Sequence, residues 1–274
     1  MLNKLWPRRT ALKTAAGAAL ASALGNRPVR AASAAQYALM VWSEPVAGRE
    51  DEYNEWYNKQ HLPDVVSVPG FVRARRLKLA PVQFDQGPAL PRYLAYFEIS
   101  TDDFPGVMAD VTHRIQSGAI MMSTAFNNPT SVKRSYRMLD DAVLPAGGVP
   151  LSDAEDAADG YHLEFSAPVP GQEDAYEFWY DLHRLPDVLA IQGFKSAQRG
   201  AATRIEGQNA EPPGLAIYRF DPTGIDALAK RLAEGQEHMH KTAAVGDNSG
   251  YTFLPLGPVL DGFEVRAQRA AKKS

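Results

Sequence analysis

Short runs of apolar or alternating residues predict strands in the first half of this chain, with helical stretches between them. Residues 48–61 place aromatic side chains at the i, i+3 and i+4 positions of one helical face, and residues 102–123 form a second helical stretch. The strand-like runs are residues 37–43, 71–79, 93–100 and 131–138. The predicted order of elements is therefore βαββαβ.

The same order returns 123 positions further along the chain. The segment WYNKQHLPDVVSVPGF at residues 56–71 matches WYDLHRLPDVLAIQGF at residues 179–194, and the alignment over residues 43–76 contains sixteen identities in all without a gap. The second set of predicted elements is strands over 161–166, 194–199, 215–220 and 251–256, with helices over 171–183 and 222–243. A period this long indicates two domain-sized units and excludes a solenoid.

Each unit has the element order of a ferredoxin-like repeat, in which two helices cover one face of a four-stranded sheet. A bare apolar sheet face of that size is not tolerated in a soluble protein, so the two sheets are expected to cover each other. The predicted fold class is α+β, with two ferredoxin-like repeats forming an intramolecular barrel around a small chamber. Pro63 and Pro186 are expected to force a break or a restart of the first helix of each repeat.

The first residues have the composition of an export signal. A basic segment with Arg8-Arg9 precedes an Ala-rich apolar run, and Ala32-Ser33-Ala34 offers a cleavage site. The arginine pair resembles a twin-arginine signal, which predicts an exported, periplasmic protein. The alternatives are an ordinary Sec signal or a retained anchor. The expected organisation is a signal (1–34), a first repeat (35–139), a linker (140–160), a second repeat (161–265) and a basic tail (266–274).

The charge balance limits the partners. The whole chain has 29 Lys and Arg against 32 Asp and Glu, and six of these cations lie in the signal, so the mature net charge is near −9. Nucleic acid and an anionic membrane are therefore not expected as partners, because both need a basic face. The expected partner is a small molecule, and the expected assembly is a monomer with an internal pseudo-dimer or a homodimer. The chain has no cysteine, which excludes disulfides and thiolate chemistry.

The motifs carry a resemblance to a known family. A strand, a short PxxG turn, a helix ending in WYNKQHLPDV and a VPGF turn into a strand resemble the dimeric α+β barrel superfamily, in particular its EthD-like members. The resemblance implies a pocket inside the barrel or at its mouth. Its relatives include lyases, isomerases, cyclases, metal-free monooxygenases and haem proteins, so the fold does not name a reaction.

His61 is the leading catalytic candidate, since it occupies the family's helix-end histidine position. A histidine that is neutral near pH 7 can take or return a proton next to a carbonyl group. Tyr57, one turn earlier, and Asp64, just after Leu62-Pro63, are its expected partners. The alternative is structural, because a histidine at a helix C-terminus also favours the helix dipole.

The aromatic residues of the two helices are candidates for substrate contact or for the core. Trp56 in the first repeat and Tyr180 in the second are the candidates for substrate contact, with core packing as the alternative. The second repeat has Arg184 at the position of His61, and its His183 falls one residue earlier. One residue turns a helix by about 100°, so the two histidines cannot be equivalent. His183 is a substrate-binding candidate whose alternative is packing.

Arg73 and Arg75 lie on one face of a predicted strand, and Ala74 and Arg76 lie on the other. Two guanidinium groups inside a barrel would hold a carboxylate or an enolate oxygen. The alternative is a solvated edge.

No metal site and no cofactor are expected. The HMH sequence at residues 238–240 is not a convincing metal site on a helix, because its two histidines point in different directions. A haem would need an axial histidine, for which His113 or His238 could be recruited.

Three functions remain open at the level of sequence. The first is a cofactor-independent lyase, isomerase or cyclase acting on a small aromatic or unsaturated carbonyl compound, with His61 as acid and base and Arg73 or Arg75 holding an anionic oxygen. The second is a haem protein of the peroxidase or chlorite dismutase kind. The third is a metabolite-binding protein without catalysis.

Overall fold

The computed structural model describes residues 34–85, 87–148, 157–203 and 212–272. The predicted export signal and the middle of the predicted linker lie outside these residues. None of the helices in the described ranges combines the length and the apolar character needed to cross a bilayer.

The first half contains four strands and a helix that winds through one π-helical turn. In the π turn, backbone hydrogen bonds join residues five positions apart. The elements are β1 (Gln36–Ser43), α1 (Glu50–Trp56), the π turn (Tyr57–His61), α2 (Leu62–Val66), β2 (Phe71–Leu79), β3 (Tyr93–Ser100), α3 (Phe104–Gln116) and β4 (Val132–Met138).

The second half repeats this order and adds two elements at its end. A π turn again lies inside the first helix. The elements are β5 (Gly160–Pro168), α4 (Glu173–Trp179), the π turn (Tyr180–Arg184), α5 (Leu185–Leu189), β6 (Phe194–Ala202), β7 (Gly214–Phe220), α6 (Ile225–Gly235), β8 (Val245–Pro255), β9 (Leu260–Asp261) and α7 (Gly262–Ala271).

Eight antiparallel strands close into one barrel. The strand order is β4-β1-β3-β2 in the first half and β8-β5-β7-β6 in the second. The halves join where Leu77–Leu79 pairs with Phe253–Pro255 and where Tyr136–Met138 pairs with Gly200–Ala202. Closure leaves no free edge in the ring, and β9 adds a short pairing to β2 outside it. The predicted α+β barrel is confirmed.

The barrel interior is largely filled by side chains. Successive residues of a strand point to opposite faces, so one set from every strand enters the barrel and the other set meets the helices. The buried interior cluster consists of Ala38, Met40, Trp42, Leu77, Leu94, Tyr96, Tyr136, Tyr161, Leu163, Phe165, Leu215, Ile217, Tyr251 and Phe253. The chamber expected from the sequence is therefore mostly a packed core, as is common for small barrels.

At Pro63 and Pro186 the expected break is absent, but α-helical geometry does restart there, since α2 and α5 begin one residue before each proline. The helix continues through both prolines, and the N–H of Leu62 donates to the carbonyl of Tyr57, five residues earlier. Proline lacks an N–H and its ring crowds the preceding turn of an α-helix. We infer that the wider π turn directly before each proline accommodates this crowding. It keeps Tyr57 and His61 on the buried face of the helix.

The end of the chain is not a free basic tail as far as the structure describes it. Residues 262–271 form α7, whose Arg266 Nη1 donates to the Phe71 carbonyl at 3.0 Å. Parts of the predicted linker also belong to the barrel. Val143 exchanges backbone hydrogen bonds with Ala197, and Asp159 is fully buried beside Lys195 at 2.5 Å.

Gly70 lies in the turn before β2 and has a backbone conformation that favours glycine. Its φ is +97°, and an added Cβ would lie 2.8 Å from Val107 Cγ2. We expect Gly70→Ala to lower the free energy of unfolding by about 1–3 kcal/mol, because both the backbone conformation and the contact oppose a side chain. Urea unfolding measures the loss. Gly246→Ala is the control, since its Cβ would make ordinary contacts at 3.4 Å and beyond. Equal effects in the two variants would contradict the prediction.

Candidate functional site

His61 lies between the helix and the sheet of the first half and is only 8% exposed. Its ring stacks on Trp56 with centroids 4.5 Å apart and meets the edge of Tyr57 at 5.1 Å. The His61 Nδ1 atom is buried and has no hydrogen-bond partner within the part of the chain that the structure describes. An unpartnered ring nitrogen in a buried position is a candidate for contact with a substrate.

The surroundings of His61 keep its ring neutral. Burial, followed by the charges of Arg76 and Lys133, lowers the pKa of His61 to about 4. At neutral pH the imidazole is therefore deprotonated and has one nitrogen able to accept a proton.

Arg76 is the cation on the same side of the sheet, and it is 1% exposed. Its Nη1 donates to the side-chain oxygens of Asn54 and Asn58, both at 2.9 Å. The Nε and Nη2 atoms have no partner among the described residues. The central guanidinium carbon lies 4.5 Å from the ring centroid of Tyr57, which also contacts His61. Arg76 makes no ion pair with any carboxylate in the described ranges, so its buried charge is available to an anion.

In the second half the corresponding arginine is paired with carboxylates. Arg199 occupies the position of Arg76, and its Nη1 lies 2.8 Å from Glu177 and 3.1 Å from Asp181. These two acids stand where the first half has the neutral Asn54 and Asn58. The second half therefore neutralises a charge that the first half leaves uncompensated.

In the second half, the residue aligned with His61 is Arg184, and it forms a buried ion pair. Arg184 Nη2 lies 2.8 Å from Glu164 Oε2, and the Tyr180 hydroxyl donates to Glu164 Oε1 at 2.6 Å. Burial alone would raise the pKa of Glu164, but the charge and hydrogen bond of Arg184 and the bond from Tyr180 hold it below its usual value. This is a closed network of buried polar groups, and it places Tyr180 in a structural role.

Three of the predicted site residues come together and the others do not. His61, Tyr57 and Trp56 form one cluster with Arg76. Asp64 instead pairs with Arg269 of α7 at 2.5 Å. His183 is half-buried and its ring stacks on that of His240, with centroids 4.2 Å apart. Both histidines belong to the second half of the chain, away from His61.

The expected pairing of His61 with Arg73 or Arg75 is not found, because these arginines lie on the other face of β2. Arg75 is paired in register with Tyr96, which belongs to the barrel interior, whereas Arg76 is paired with Ala95 of the helix-side core. Neighbouring residues of a strand face opposite sides. Sequence reasoning missed Arg76, although the exchange of two acids for two asparagines between the repeats was a signal for it.

A cavity of about 130 Å³ lies between the two halves at one mouth of the barrel, and neither Arg73 nor Arg75 lines it. Arg75 does contact two of its lining residues, Tyr161 and Glu98. Arg75 is buried, with its guanidinium carbon 4.9 Å from the Tyr161 ring centroid and its Nη2 3.6 Å from Glu98. No histidine lines this cavity, which is bounded by Gln36, Tyr37, Tyr96, Glu98, Met138, Ala142, Tyr161, Ser196, Gln198, Ile217 and Arg219. His61 and this cavity are therefore separate features.

The described histidines do not converge on the barrel-mouth cavity. No group of three or more potential metal-ligating side chains is found among them. His113 and His238, the haem candidates, are both exposed, and neither lines the barrel-mouth cavity. His240 lies 3.0 Å from the carboxylate of Asp187. The described histidines thus offer no axial ligand directed into this cavity.

A scan against known family models gives no match, and a search of curated proteins gives none. Among solved structures, the chain is similar to an anthrone oxidase-like protein, with 10% identity, a TM-score of 0.50 and coverage of 83% of this chain and 93% of that one. It also matches a protein from Lactobacillus acidophilus provisionally described as a monooxygenase, with 10% identity, a TM-score of 0.45 and coverage of 83% and 97%. A chlorite dismutase from Candidatus Nitrospira defluvii matches with 10% identity, a TM-score of 0.44 and coverage of 85% and 94%. At these identities the first likeness shows a shared α+β barrel fold and says nothing of the reaction.

Proposed function

We propose that this protein is an enzyme that moves a proton next to the carbonyl group of a small aromatic or unsaturated compound, without a cofactor. The reaction class is that of a lyase, isomerase or cyclase. The observation that supports it is the pairing of a neutral, unpartnered His61 with the uncompensated cation Arg76 around the Tyr57 ring.

In the proposed reaction His61 Nδ1 takes a proton from the carbon beside the carbonyl group, and the electron pair of the broken C–H bond moves to the carbonyl oxygen. Arg76 stabilises the resulting enolate through its free N–H groups. The imidazolium then returns the proton to another carbon, or the enolate expels a leaving group. Imidazolium and enolate together are neutral, so the repulsion between Arg76 and a protonated His61 is offset once the enolate forms.

The aromatic side chains support the proposed class of substrate. Trp56 stacks on the His61 ring, and such a planar apolar surface suits a flat conjugated molecule. Burial raises the pKa of Tyr57, so its phenol remains protonated. It can donate a hydrogen bond but does not act as a base at neutral pH.

We further propose that the two halves are duplicated ferredoxin-like repeats of the EthD-like kind, in a monomer with an internal pseudo-dimer that is exported by its twin-arginine segment. Sixteen aligned identities and the same strand order in both halves support the duplication. The first repeat has the chemistry, and the second has the structural ion pairs.

The test is exchange of carbon-bound hydrogen. Small aromatic and unsaturated ketones and keto acids are incubated with the protein in D₂O, and loss of the proton beside the carbonyl group is followed by NMR. For a compound that exchanges, we expect His61→Gln and Arg76→Gln each to slow exchange by at least about 100-fold, because one removes the base and the other the charge that stabilises the enolate.

His113→Gln is the matched control, because His113 is an exposed histidine on α3. It should exchange at the rate of the unchanged protein, and circular dichroism should show that all the variants are folded. Full activity in His61→Gln would contradict the proposal. A Soret band in protein exported with its signal intact would instead favour the haem alternative.

A further inference from the structure

A second arginine without a carboxylate partner among the described residues lies on β4, on its barrel side. The central guanidinium carbon of Arg134 is 4.6 Å from the ring centroid of Phe165 and 5.4 Å from that of Trp42. The two rings come from β5 and β1, so both halves of the chain contribute to this position. Arg134 is not among the proposed catalytic residues, since β4 directs it into the barrel and His61 lies on the helix side.

Three N–H donors of Arg134 and Trp42 find no acceptor in the part of the chain that the structure describes. Arg134 Nε and Nη1 and the indole nitrogen of Trp42 are buried and have no hydrogen-bond partner among the residues described. Trp42 is 0% exposed, whereas Arg134 is partly exposed. Buried donors are normally satisfied, so three unsatisfied ones in one group of side chains indicate a missing acceptor. Arg134 is partly exposed, so a molecule from solvent can reach it.

The surroundings specify the chemistry of that acceptor. The Tyr136 and Tyr251 hydroxyls donate to the carbonyls of Pro212 and Pro88, at 3.1 and 2.7 Å, so these two groups are already used. The Tyr136 and Tyr251 rings lie 5.9 and 6.1 Å from the Phe165 ring. The group is therefore a cation surrounded by aromatic surface, which suits an anion attached to a flat apolar molecule.

The barrel-mouth cavity, two of whose lining residues contact Arg75, is less suited to an anion. There the guanidinium lies 3.6 Å from Glu98, which itself lines the cavity. An added carboxylate would meet a negative charge at that position. Arg134 makes no ion pair with a carboxylate in the described ranges of the chain.

We propose that Arg134, Trp42 and Phe165 form a binding site for the carboxylate of a small aromatic acid, separate from the His61 cluster. The faces of the guanidinium group lie against the rings, so its N–H edge is left for the carboxylate oxygens. The aromatic ring of the acid packs among the side chains that surround Arg134.

The test is a titration of the ¹⁵N-labelled protein with sodium benzoate, followed by the indole N–H signals in NMR. Trp42→Phe assigns the Trp42 signal by its loss. We expect that signal to shift saturably with benzoate, while the signals of Trp56 and Trp179 stay in place. Arg134→Gln and Arg134→Lys should each weaken benzoate binding at least about tenfold, since both remove the planar guanidinium group.

Arg137→Gln is the matched control, because Arg137 is an exposed arginine on the same strand. It should bind benzoate as the unchanged protein does. The absence of a saturable Trp42 shift in the unchanged protein would overturn the proposal without reference to any variant. Sodium acetate and sodium sulfate test whether binding requires the aromatic ring. Binding of either anion as tightly as benzoate would overturn the assignment to an aromatic acid.

Discussion

Replacing Glu164 by Gln is expected to lower the free energy of unfolding by about 3–5 kcal/mol, because it leaves the buried cation of Arg184 without its partner. The Glu164 side chain is 3% exposed and that of Arg184 is 16% exposed, with 2.8 Å between Nη2 and Oε2. The same carboxylate accepts the Tyr180 hydroxyl at 2.6 Å. Urea unfolding at pH 7, monitored by circular dichroism, measures the loss.

The matched control is Glu55→Gln, in which an exposed acid loses an exposed partner. Glu55 and Lys59 are 2.8 Å apart, but their side chains are 66% and 75% exposed, so we expect a far smaller change than in Glu164→Gln. A double variant with Gln at both Glu164 and Arg184 should recover part of the stability, because no unpaired charge is left. A loss in Glu164→Gln as small as in Glu55→Gln would show that the pair is not a structural element.

Acidification is expected to destabilise the protein between about pH 6.5 and pH 4 through two buried histidines. Burial lowers the pKa of both His61 and His162 to about 4, from an ordinary value of 6.5. The charges of Arg76 and Lys133 add to this effect at His61, whereas the nearby Glu164 opposes it at His162. In this window the unfolded chain binds protons that the folded protein does not, so stability falls as the pH falls. Each histidine contributes about 3 kcal/mol over the full window, and the two together up to roughly 6 kcal/mol.

Unfolding in urea at half-unit steps from pH 7 to pH 4.5 measures this dependence. His61→Gln or His162→Gln should each remove about half of it, because each eliminates one of the two titrating groups. His113→Gln should leave the dependence unchanged, as this histidine is exposed. A flat stability profile over this range would contradict the burial of both rings in their neutral form. Below about pH 4.5 the protonation of Glu164 should add to the loss, since its pKa is held below the usual value.

The two halves differ in the partners of their buried arginines. The second half fills the space between helix and sheet with Arg184 paired to Glu164, and it pairs Arg199 with two acids. The first half has a neutral His61 and an Arg76 that contacts only neutral partners. Carboxylates neutralise the buried arginines between helix and sheet in the second half, whereas Arg76 in the first half has no carboxylate partner among the described residues. The proposal that the first half has the chemistry rests on this difference.

Much of the architecture could be predicted from the chain alone. Alternation predicted β1 to β7 within a few residues, and the aromatic spacing predicted the buried face of α1. The helical extent was overestimated, since residues 102–123 contain a helix only over Phe104–Gln116. The short β9 and the helix α7 were missed. β9 has only two residues, and α7 has a weak amphipathic pattern whose helix is stabilised by packing against α2 and β2.

The repeat and the order of elements could be read from the chain alone, because hydrophobic periodicity and internal similarity are properties of the sequence. The barrel followed from the need to cover two bare sheet faces. The side of β2 that meets the helix could not be read in this way, and the fold places Arg76 rather than Arg75 with Tyr57 and His61. Alternation shows that neighbouring residues of β2 face opposite sides, but which side meets the helix is fixed by pairing with distant strands. The surroundings of Arg134 also follow only from the fold, since the rings of Trp42 and Phe165 that contact it come from both halves of the chain.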